Sequence, residues 1–146
     1  MPRLSDRSFP RSVRILRKVE FGRVVREGVR VSDGAMQLRA IPRPGGEALP
    51  ARLGITVGRK AGKAVVRNLI RRRIREAFRV HRSEIPAGLD LVVFPAMQRG
   101  DEIPAYRRIE ASLVSLAGEA RRRLDLRARR GGPDAPGRRG GAPRRP

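Results

Sequence analysis

The stretch RLGITVGRKAGKAVVRNLIRRRIREAFR, which runs from Arg52 to Arg79, changes its hydrophobic period midway. In its first part apolar residues alternate with others, which predicts a half-buried strand over 52–58. After Gly62 the apolar residues recur at intervals of three and four, which predicts a helix from about Lys63 to His81. The central unit of the fold is therefore a strand that leads through a short loop into a helix. The alternating residues are Leu53, Ile55 and Val57.

The predicted helix has two distinct faces when its residues are placed at 100° intervals. One is an apolar stripe wide enough to pack on a sheet, and the other is almost wholly basic. Like charges four residues apart repel by about a few tenths of a kcal/mol per pair, so the basic face costs stability unless an anion binds. A merely solvated face is the alternative, but such faces normally mix both signs, and here only Glu76 is acidic. The stripe comprises Val66, Ile70, Ile74, Ala77 and Phe78, and the basic face comprises Arg67, Asn68, Arg71, Arg72, Arg75 and Arg79.

The loop from Gly58 to Lys63 joins the strand to the N-terminus of that helix. Backbone N–H groups at a helix N-terminus, with Arg59, Lys60 and Lys63 beside them, suit a phosphate group. The loop is one residue too short for a nucleotide-binding P-loop, and Ala64 offers no hydroxyl for Mg²⁺. NTP hydrolysis is therefore disfavoured, and a plain tight connection is the alternative to a phosphate site.

Further elements lie on both sides of this unit. Towards the N-terminus the pattern predicts a helix over 12–27, a short strand over 29–31 and a strand over 35–41. We expect the last of these to form a hairpin with the strand over 52–58. Towards the C-terminus an apolar run over 89–94 predicts a buried strand, and Pro104 is a suitable first residue for a final helix.

The two ends of the chain differ in composition from its centre. Residues 125–146 interleave Pro and Gly with Arg, and residues 1–11 interleave Pro with Arg. Both segments hold too few apolar groups to offset the entropy of ordering. We therefore predict a flexible N-terminal tail over 1–11, one domain over 12–124, and a disordered Arg/Gly/Pro-rich tail over 125–146.

The charge of the chain points to a polyanionic partner. The 146 residues include 35 Lys and Arg against 14 Asp and Glu, a formal net charge of +21. Such a charge attracts nucleic acid first and an anionic membrane second. No apolar run approaches the roughly 18 residues of a membrane span, and the N-terminus lacks the apolar stretch of a signal peptide. We therefore expect a cytoplasmic protein with no membrane partner.

Residues that could carry out catalysis are scarce. The chain has no cysteine, which excludes disulfides, thiolate metal sites and a cysteine nucleophile. The only histidine, His81, has no evident partner in the sequence and is interpreted as a surface residue. Glu76 is interpreted as a partner of Arg72 or Arg79, and no cluster of carboxylates suits two-metal hydrolysis. If this protein takes part in a reaction, we expect the reacting groups to come from another molecule.

The stretch from Arg52 to Arg79 closely resembles the signature of the bacterial ribonuclease P protein component. Further matching segments are Arg14-Ile-Leu-Arg-Lys-Val-Glu-Phe21, Gly28 and Gly88-Leu-Asp-Leu-Val-Val93, so the resemblance spans roughly residues 12–124. It implies an α+β fold, a two-layer α/β sandwich of order α-β-β-β-α-β-α. The basic helix would lie on a left-handed crossover, as in the ribosomal-protein-S5-like type.

The resemblance also implies a function that depends on RNA. In that family an RNA subunit removes the 5′ leader of precursor tRNA with Mg²⁺ ions, and no catalytic side chain is expected in the protein. The implied partners are the catalytic RNA and precursor tRNA, with no obligate protein partner. Mg²⁺ would be held mainly by the RNA subunit, with none bound by the protein alone. A structural RNA-binding protein of ribosomal type is the alternative.

The resemblance assigns residues to two RNA surfaces. The basic helix and its preceding loop would bind the catalytic RNA, and a cleft between the first helix and the sheet would bind the leader. The implied catalytic-RNA-binding residues are Arg59, Lys60, Lys63, Arg67, Asn68, Arg71, Arg72 and Arg75, and the implied leader-binding residues are Arg14, Arg17, Phe21 and Arg39. The sequence departs from the family at Leu69, which replaces a motif arginine, and at Val25, Met36 and Arg39, which replace cleft aromatics.

Overall fold

The computed structural model describes residues 11–15, 17–46 and 48–131, and its elements follow the predicted α-β-β-β-α-β-α order. None of the described helices is long and apolar enough to cross a membrane. Short 3₁₀ turns occupy Arg11–Val13, Arg59–Ala61 and Arg82–Glu84. The main elements are α1 (Lys18–Glu27), β1 (Val29–Ser32), β2 (Met36–Pro42), β3 (Arg52–Ile55), α2 (Ala64–Val80), β4 (Leu89–Pro95) and α3 (Tyr106–Gly131).

The four strands form one sheet in the order β1-β2-β4-β3. β2 pairs antiparallel with both β1 and β4, whereas β3 and β4 are parallel. The predicted hairpin between β2 and β3 is wrong because β4 lies between them. β4 is suited to this central position, since Leu91 and Val93 on one face and Val92 on the other are all fully buried. The crossover from β3 to β4 contains α2, and its left-handed sense stays a prediction from the resemblance.

Helices lie on both faces of the sheet. α2 and α3 cover one face and form the main core, in which Leu38 and Leu91 of the strands pack with Phe78 of α2 and Leu113 of α3. α1 lies on the other face, over a smaller core built around Val24, Ile41 and Val92 with Ile15. On this face Arg30 is exposed and Arg39 and Phe94 are only half-buried, so part of the sheet beside α1 is open. We call this open area the cleft.

The first helix begins at Lys18, whereas the sequence predicted a start at Ser12. Val13 ends the 3₁₀ turn Arg11–Val13 and packs into the main core, whereas Ile15 packs into the smaller core on the other face of the sheet. This segment follows β3, since the Ile15 N–H donates to the Leu53 carbonyl at 3.0 Å. The apolar spacing fitted a helix, but pairing with β3 keeps the chain extended.

The last helix extends to Gly131, so the predicted disordered tail is wrong for residues 125–131. Nothing between Asp125 and Arg130 breaks a helix, and Arg121 and Asp125 are spaced for an i,i+4 ion pair, with an N–O distance of 3.8 Å. Arg127 donates to the Glu27 carbonyl at 2.9 Å, which holds this end of α3 against the end of α1. The remaining parts of the predicted tails, 1–10 and 132–146, lie outside the described residues.

His81 joins α2 to α3, contrary to the prediction of a surface residue without a partner. Its Nδ1 lies 2.6 Å from Glu84 and its Nε2 lies 2.7 Å from Glu110 of α3. Hydrogen bonds to Glu110, and then to Glu84, raise the pKa of His81 above its ordinary value. The sequence could not show this contact because Glu110 lies 29 residues away.

Candidate RNA-binding surfaces

The basic face of α2 points away from the core. The predicted apolar stripe is confirmed, because Ile70, Ile74, Ala77 and Phe78 are buried and Val66 packs partly against the core. Among the eight residues assigned to catalytic-RNA binding, Arg67 and Arg71 are half-buried. The other six are exposed, namely Arg59, Lys60, Lys63, Asn68, Arg72 and Arg75.

Contacts on α2 separate the arginines available for a ligand from those used for packing. Arg73 donates to the Pro104 carbonyl at 2.7 Å and so anchors α2 to the segment before α3. Glu76 pairs with Arg79, which confirms its predicted role. Arg71 donates to the Asn68 side-chain oxygen at 3.1 Å, and the buried Nε of Arg67 has no partner among the described residues. A buried donor without a partner is costly. Because this Nε is closed to solvent, a phosphate oxygen would reach it only if the Arg67 side chain moved outward.

The loop before α2 presents the helix N-terminus to solvent. Gly62 has a φ of +132°, a left-handed conformation that favours glycine, and Lys63 follows as the N-cap residue. The first turn of α2 holds no acidic residue, so nothing within the helix neutralises the positive end of its dipole. Together with the exposed side chains of Arg59 and Lys60, this end of α2 favours an anion.

The cleft on the other face of the sheet is bounded by Phe21 of α1. A Cβ atom at Gly54 of β3 would lie 2.7 Å from two carbons of the Phe21 ring, so the ring approaches the strand only because residue 54 is glycine. Phe94 of β4 and Val25 of α1 are half-buried and pack on the same small core. The cleft therefore combines two aromatic rings with an apolar base.

Arg39 projects from β2 into this cleft. Its side chain donates to the Gln37 side chain at 3.0 Å and to the Val25 carbonyl, and its guanidinium carbon lies 5.9 Å from the centre of the Phe94 ring. This distance allows a cation–π interaction. Burial, and then the neighbouring charge of Arg30, lower the pKa of Arg39 from its ordinary value. The cleft thus has a fixed positive group stacked beside an aromatic ring.

The structure brings together only some of the residues assigned to the leader. Phe21 and Arg39 share the cleft, whereas Arg14 and Arg17 are exposed on the segment before α1. The interpretation of Met36 as a cleft residue is wrong: Met36 is 1 % exposed in the main core on the opposite face, since it shares the alternation of Leu38. Phe94 also lies in the cleft and was not predicted there, although alternation along β4 places it on the face opposite Leu91.

A buried ion pair fixes α1 over the sheet. Arg52 of β3 binds Asp90 of β4 through two hydrogen bonds of 2.8 and 2.7 Å, and reaches Glu20 of α1 at 3.3 Å. The hydrogen bond to Asp90 is the main reason that the pKa of Arg52 is raised. A two-pronged contact of this kind fixes both distance and direction. The position of α1, and hence the width of the cleft, depends on this network.

The two surfaces meet at an open groove of about 660 Å³ at the carboxyl ends of β3 and β4. Arg59 and Lys60 line one side, Phe94 lines another, and Val57 and Met97 add apolar walls. We call the basic face of α2 and the loop before it the α2 surface. The groove therefore shares two cations with the α2 surface and one aromatic ring with the cleft.

Comparison with known proteins assigns the chain to one family. The family model described as Ribonuclease P matches residues 9–120. The chain belongs to the Ribonuclease P family. Curated relatives named Ribonuclease P protein component include that of Desulfovibrio desulfuricans, 39 % identical over 79 % of this chain and 88 % of the relative. The protein of Dictyoglomus thermophilum is 41 % identical over 75 % of this chain and 88 % of its own length.

Solved structures of the family share the fold of this chain. The RNase P protein of Thermotoga maritima superposes with a TM-score of 0.63 at 29 % identity, over 73 % of this chain and 96 % of that one. The Staphylococcus aureus RNase P protein gives 0.60 at 30 % identity, over 75 % and 98 %. The chain is thus a protein component of ribonuclease P, an endoribonuclease that matures the 5′ ends of tRNA. Membership disfavours the alternative of a ribosomal-type structural protein.

Proposed function

We propose that this chain binds the catalytic RNA subunit of ribonuclease P through α2 and its preceding loop, and the 5′ leader of precursor tRNA through the cleft beside α1. The observation that carries this proposal is the groove at which the two surfaces meet. Arg59 and Lys60 on one wall and Phe94 on another would hold the two RNAs side by side. The protein would therefore support cleavage by positioning the leader against the RNA subunit.

The chemical step is assigned to the RNA subunit. Mg²⁺ prefers carboxylate and other oxygen ligands, and the donors around the proposed catalytic-RNA surface do not fit it. Arg59, Lys60 and Lys63 are cationic, and Glu76 already pairs with Arg79. Mg²⁺ is accordingly proposed to be held mainly by the RNA, and the chain is proposed to act in the cytoplasm without an obligate protein partner.

Cleavage assays test the division of labour between protein and RNA. The purified protein alone should not cut precursor tRNA, whereas addition of the cognate RNA subunit should restore cleavage at low Mg²⁺. Robust metal-dependent cleavage by the RNA-free protein would contradict the proposal.

Two sets of variants separate the surfaces. Replacement of Arg67, Arg71 and Arg75 by glutamine should weaken catalytic-RNA binding and reduce the slope of log affinity against log salt by roughly 0.7 to 0.9 per lost phosphate contact. Gly54→Ala should displace the Phe21 ring and weaken binding of precursor tRNA by at least about fivefold, because a stacked base contributes about 1–3 kcal/mol.

Matched controls show whether each surface is assigned correctly. Gly118→Ala adds the same methyl group where the nearest atom is 3.8 Å away, so precursor binding should not change. Mature tRNA, which lacks the leader, should bind the Gly54→Ala holoenzyme as it binds the unchanged one. Equal losses for precursor and mature tRNA would mean that Phe21 serves only the core.

A further inference from the structure

Two arginines face each other on the open side of the sheet. Arg30 of β1 and Arg39 of β2 are direct partners in the strand register, so their side chains project from the same face. Like charges at such a pair are destabilising. Neither residue has a carboxylate partner among the described residues. A phosphate between them would remove the repulsion, and guanidinium groups bind phosphate in two-pronged geometry.

The end of α3 brings two more arginines to the same edge. Arg123 donates to the Arg30 carbonyl at 3.2 Å, and Arg127 donates to the Glu27 carbonyl at 2.9 Å. These bonds hold the last turns of α3 beside β1, which is an edge strand. Arg123 also pairs with Glu119 at 2.9 Å, whereas Arg127 has no carboxylate partner among the residues that the structure describes. We call Arg30, Arg123 and Arg127 the β1-edge surface.

The β1-edge surface is distinct from the α2 surface. β1 and β3 form opposite edges of the sheet, and α2 is joined to β3 by the loop that holds Arg59. The β1-edge surface instead continues the cleft, because Arg30 is the next residue outward from Arg39 on the cleft face.

The shape of this edge selects a single strand. Arg30 projects on the cleft face, whereas α3 packs on the opposite face, so a ligand that contacts both must bend around the edge of the sheet. Nucleic-acid duplexes are stiff over such short distances. A single strand has no such restriction, and its phosphates provide the repeated negative charge that the arginines require.

We propose that the β1-edge surface binds the upstream part of the precursor tRNA leader, as a single strand that leaves the cleft at Arg39 and crosses Arg30 to the end of α3. The inference rests on the proposed function of the cleft. It adds a second leader-binding segment formed by β1 and by a part of α3 for which composition alone predicted disorder.

Leader length provides the test. Precursor tRNAs with leaders of about four and about twelve nucleotides, within the usual range of single-strand sites, are bound to the reconstituted holoenzyme over a range of salt concentrations. The variant R30Q/R127Q should lower the salt slope for the long leader by roughly 1.4, which corresponds to two single-strand phosphate contacts. For the short leader the slope should stay unchanged.

The control variant R107Q/R122Q removes the same charge from exposed positions on the outer side of α3 and should leave both slopes unchanged. A thermal melt of each variant checks that it folds. Loss of slope for both leaders and for free catalytic RNA would assign the β1-edge surface to the RNA subunit and overturn the inference. An unchanged long-leader slope would also overturn it. If the unsubstituted holoenzyme does not distinguish precursor from mature tRNA, the proposed function of the cleft fails as well.

Discussion

At the scale of single residues, the side chain of Asp90 is the most deeply buried charge in the described ion pairs. Its side chain is 3 % exposed and that of Arg52 is 14 % exposed. Removing one partner of a buried pair leaves the other charge uncompensated, so Arg52→Ala should lower the free energy of unfolding by about 3–5 kcal/mol. Urea denaturation measures the loss.

Arg23→Ala is the control for Arg52→Ala. Arg23 pairs with Glu27 across one turn of α1, but these side chains are 49 % and 59 % exposed. Exposed pairs contribute about 0–1 kcal/mol, so this variant should be close to the unchanged protein. If the two variants lost equal stability, the Arg52–Asp90 pair would not anchor α1.

Residues of the cleft show what periodicity reveals and what it does not. Alternation along β2 predicts that Met36 and Arg39 project to opposite sides, and the structure confirms that difference. Only the resemblance placed Met36 in the cleft, and its burial in the main core excludes it. The contact of Phe21 with Gly54 joins residues 33 positions apart, so no local pattern could indicate it.

At the scale of elements, His81 links the end of α2 to α3 and makes their packing depend on pH. Its partners are Glu84 in the following turn and Glu110 on α3. Because the folded-state pKa is raised above 6.5, the contribution to stability is fully present below that pH and is lost as pH rises through the raised pKa.

His81→Gln should therefore reduce stability most in mildly acidic solution. The difference in free energy of unfolding between the unchanged protein and this variant should be largest below about pH 6.5 and should shrink as the pH rises. Denaturant titrations across this range measure it. Glu84→Gln, which alters the more exposed partner, should give the same trend with a smaller amplitude. A difference that grew with pH would contradict the assigned direction of the pKa.

The accuracy of the element predictions follows from how local each signal is. The ends of α2 were predicted within a residue or two. Its apolar stripe, and Gly62 just before it, are local signals that can be identified within one short stretch of sequence. The prediction of a β2–β3 hairpin was wrong because β4 lies between those two strands in the sheet. β4 begins nearly 40 residues after the start of β3, so no local pattern indicates this pairing. The first helix was predicted too long because Ile15 lies four residues before Val19, as in a helix, and only the hydrogen bond of its N–H to the Leu53 carbonyl keeps this segment extended.

At the scale of the whole molecule, the net charge of +21 predicts a polyanionic partner but not where it binds. The fold divides the positive charge between the α2 surface, which is joined to the edge strand β3, and the β1-edge surface at the opposite edge of the sheet. The open cleft face, with Phe21 and Arg39, connects the two. A polyanion can therefore be bound from both edges of one small domain, which is the arrangement that the proposed binding of two RNAs requires.

Truncation separates the structural part of the C-terminal region from the part that contributes charge alone. A chain that ends at Leu124 loses the bond from Arg127 to the Glu27 carbonyl and the contact between Arg121 and Asp125, so its free energy of unfolding should fall by about 1–2 kcal/mol. A chain that ends at Gly131 keeps both contacts and should match the full chain in urea denaturation. It lacks the four arginines and one aspartate of 132–146, so only the salt dependence of its general RNA affinity should weaken. Its preference for precursor over mature tRNA should persist, since the cleft and the β1 edge are intact. Equal stability of the two truncated chains would show that residues 125–131 do not stabilise the packing of α3 against the end of α1.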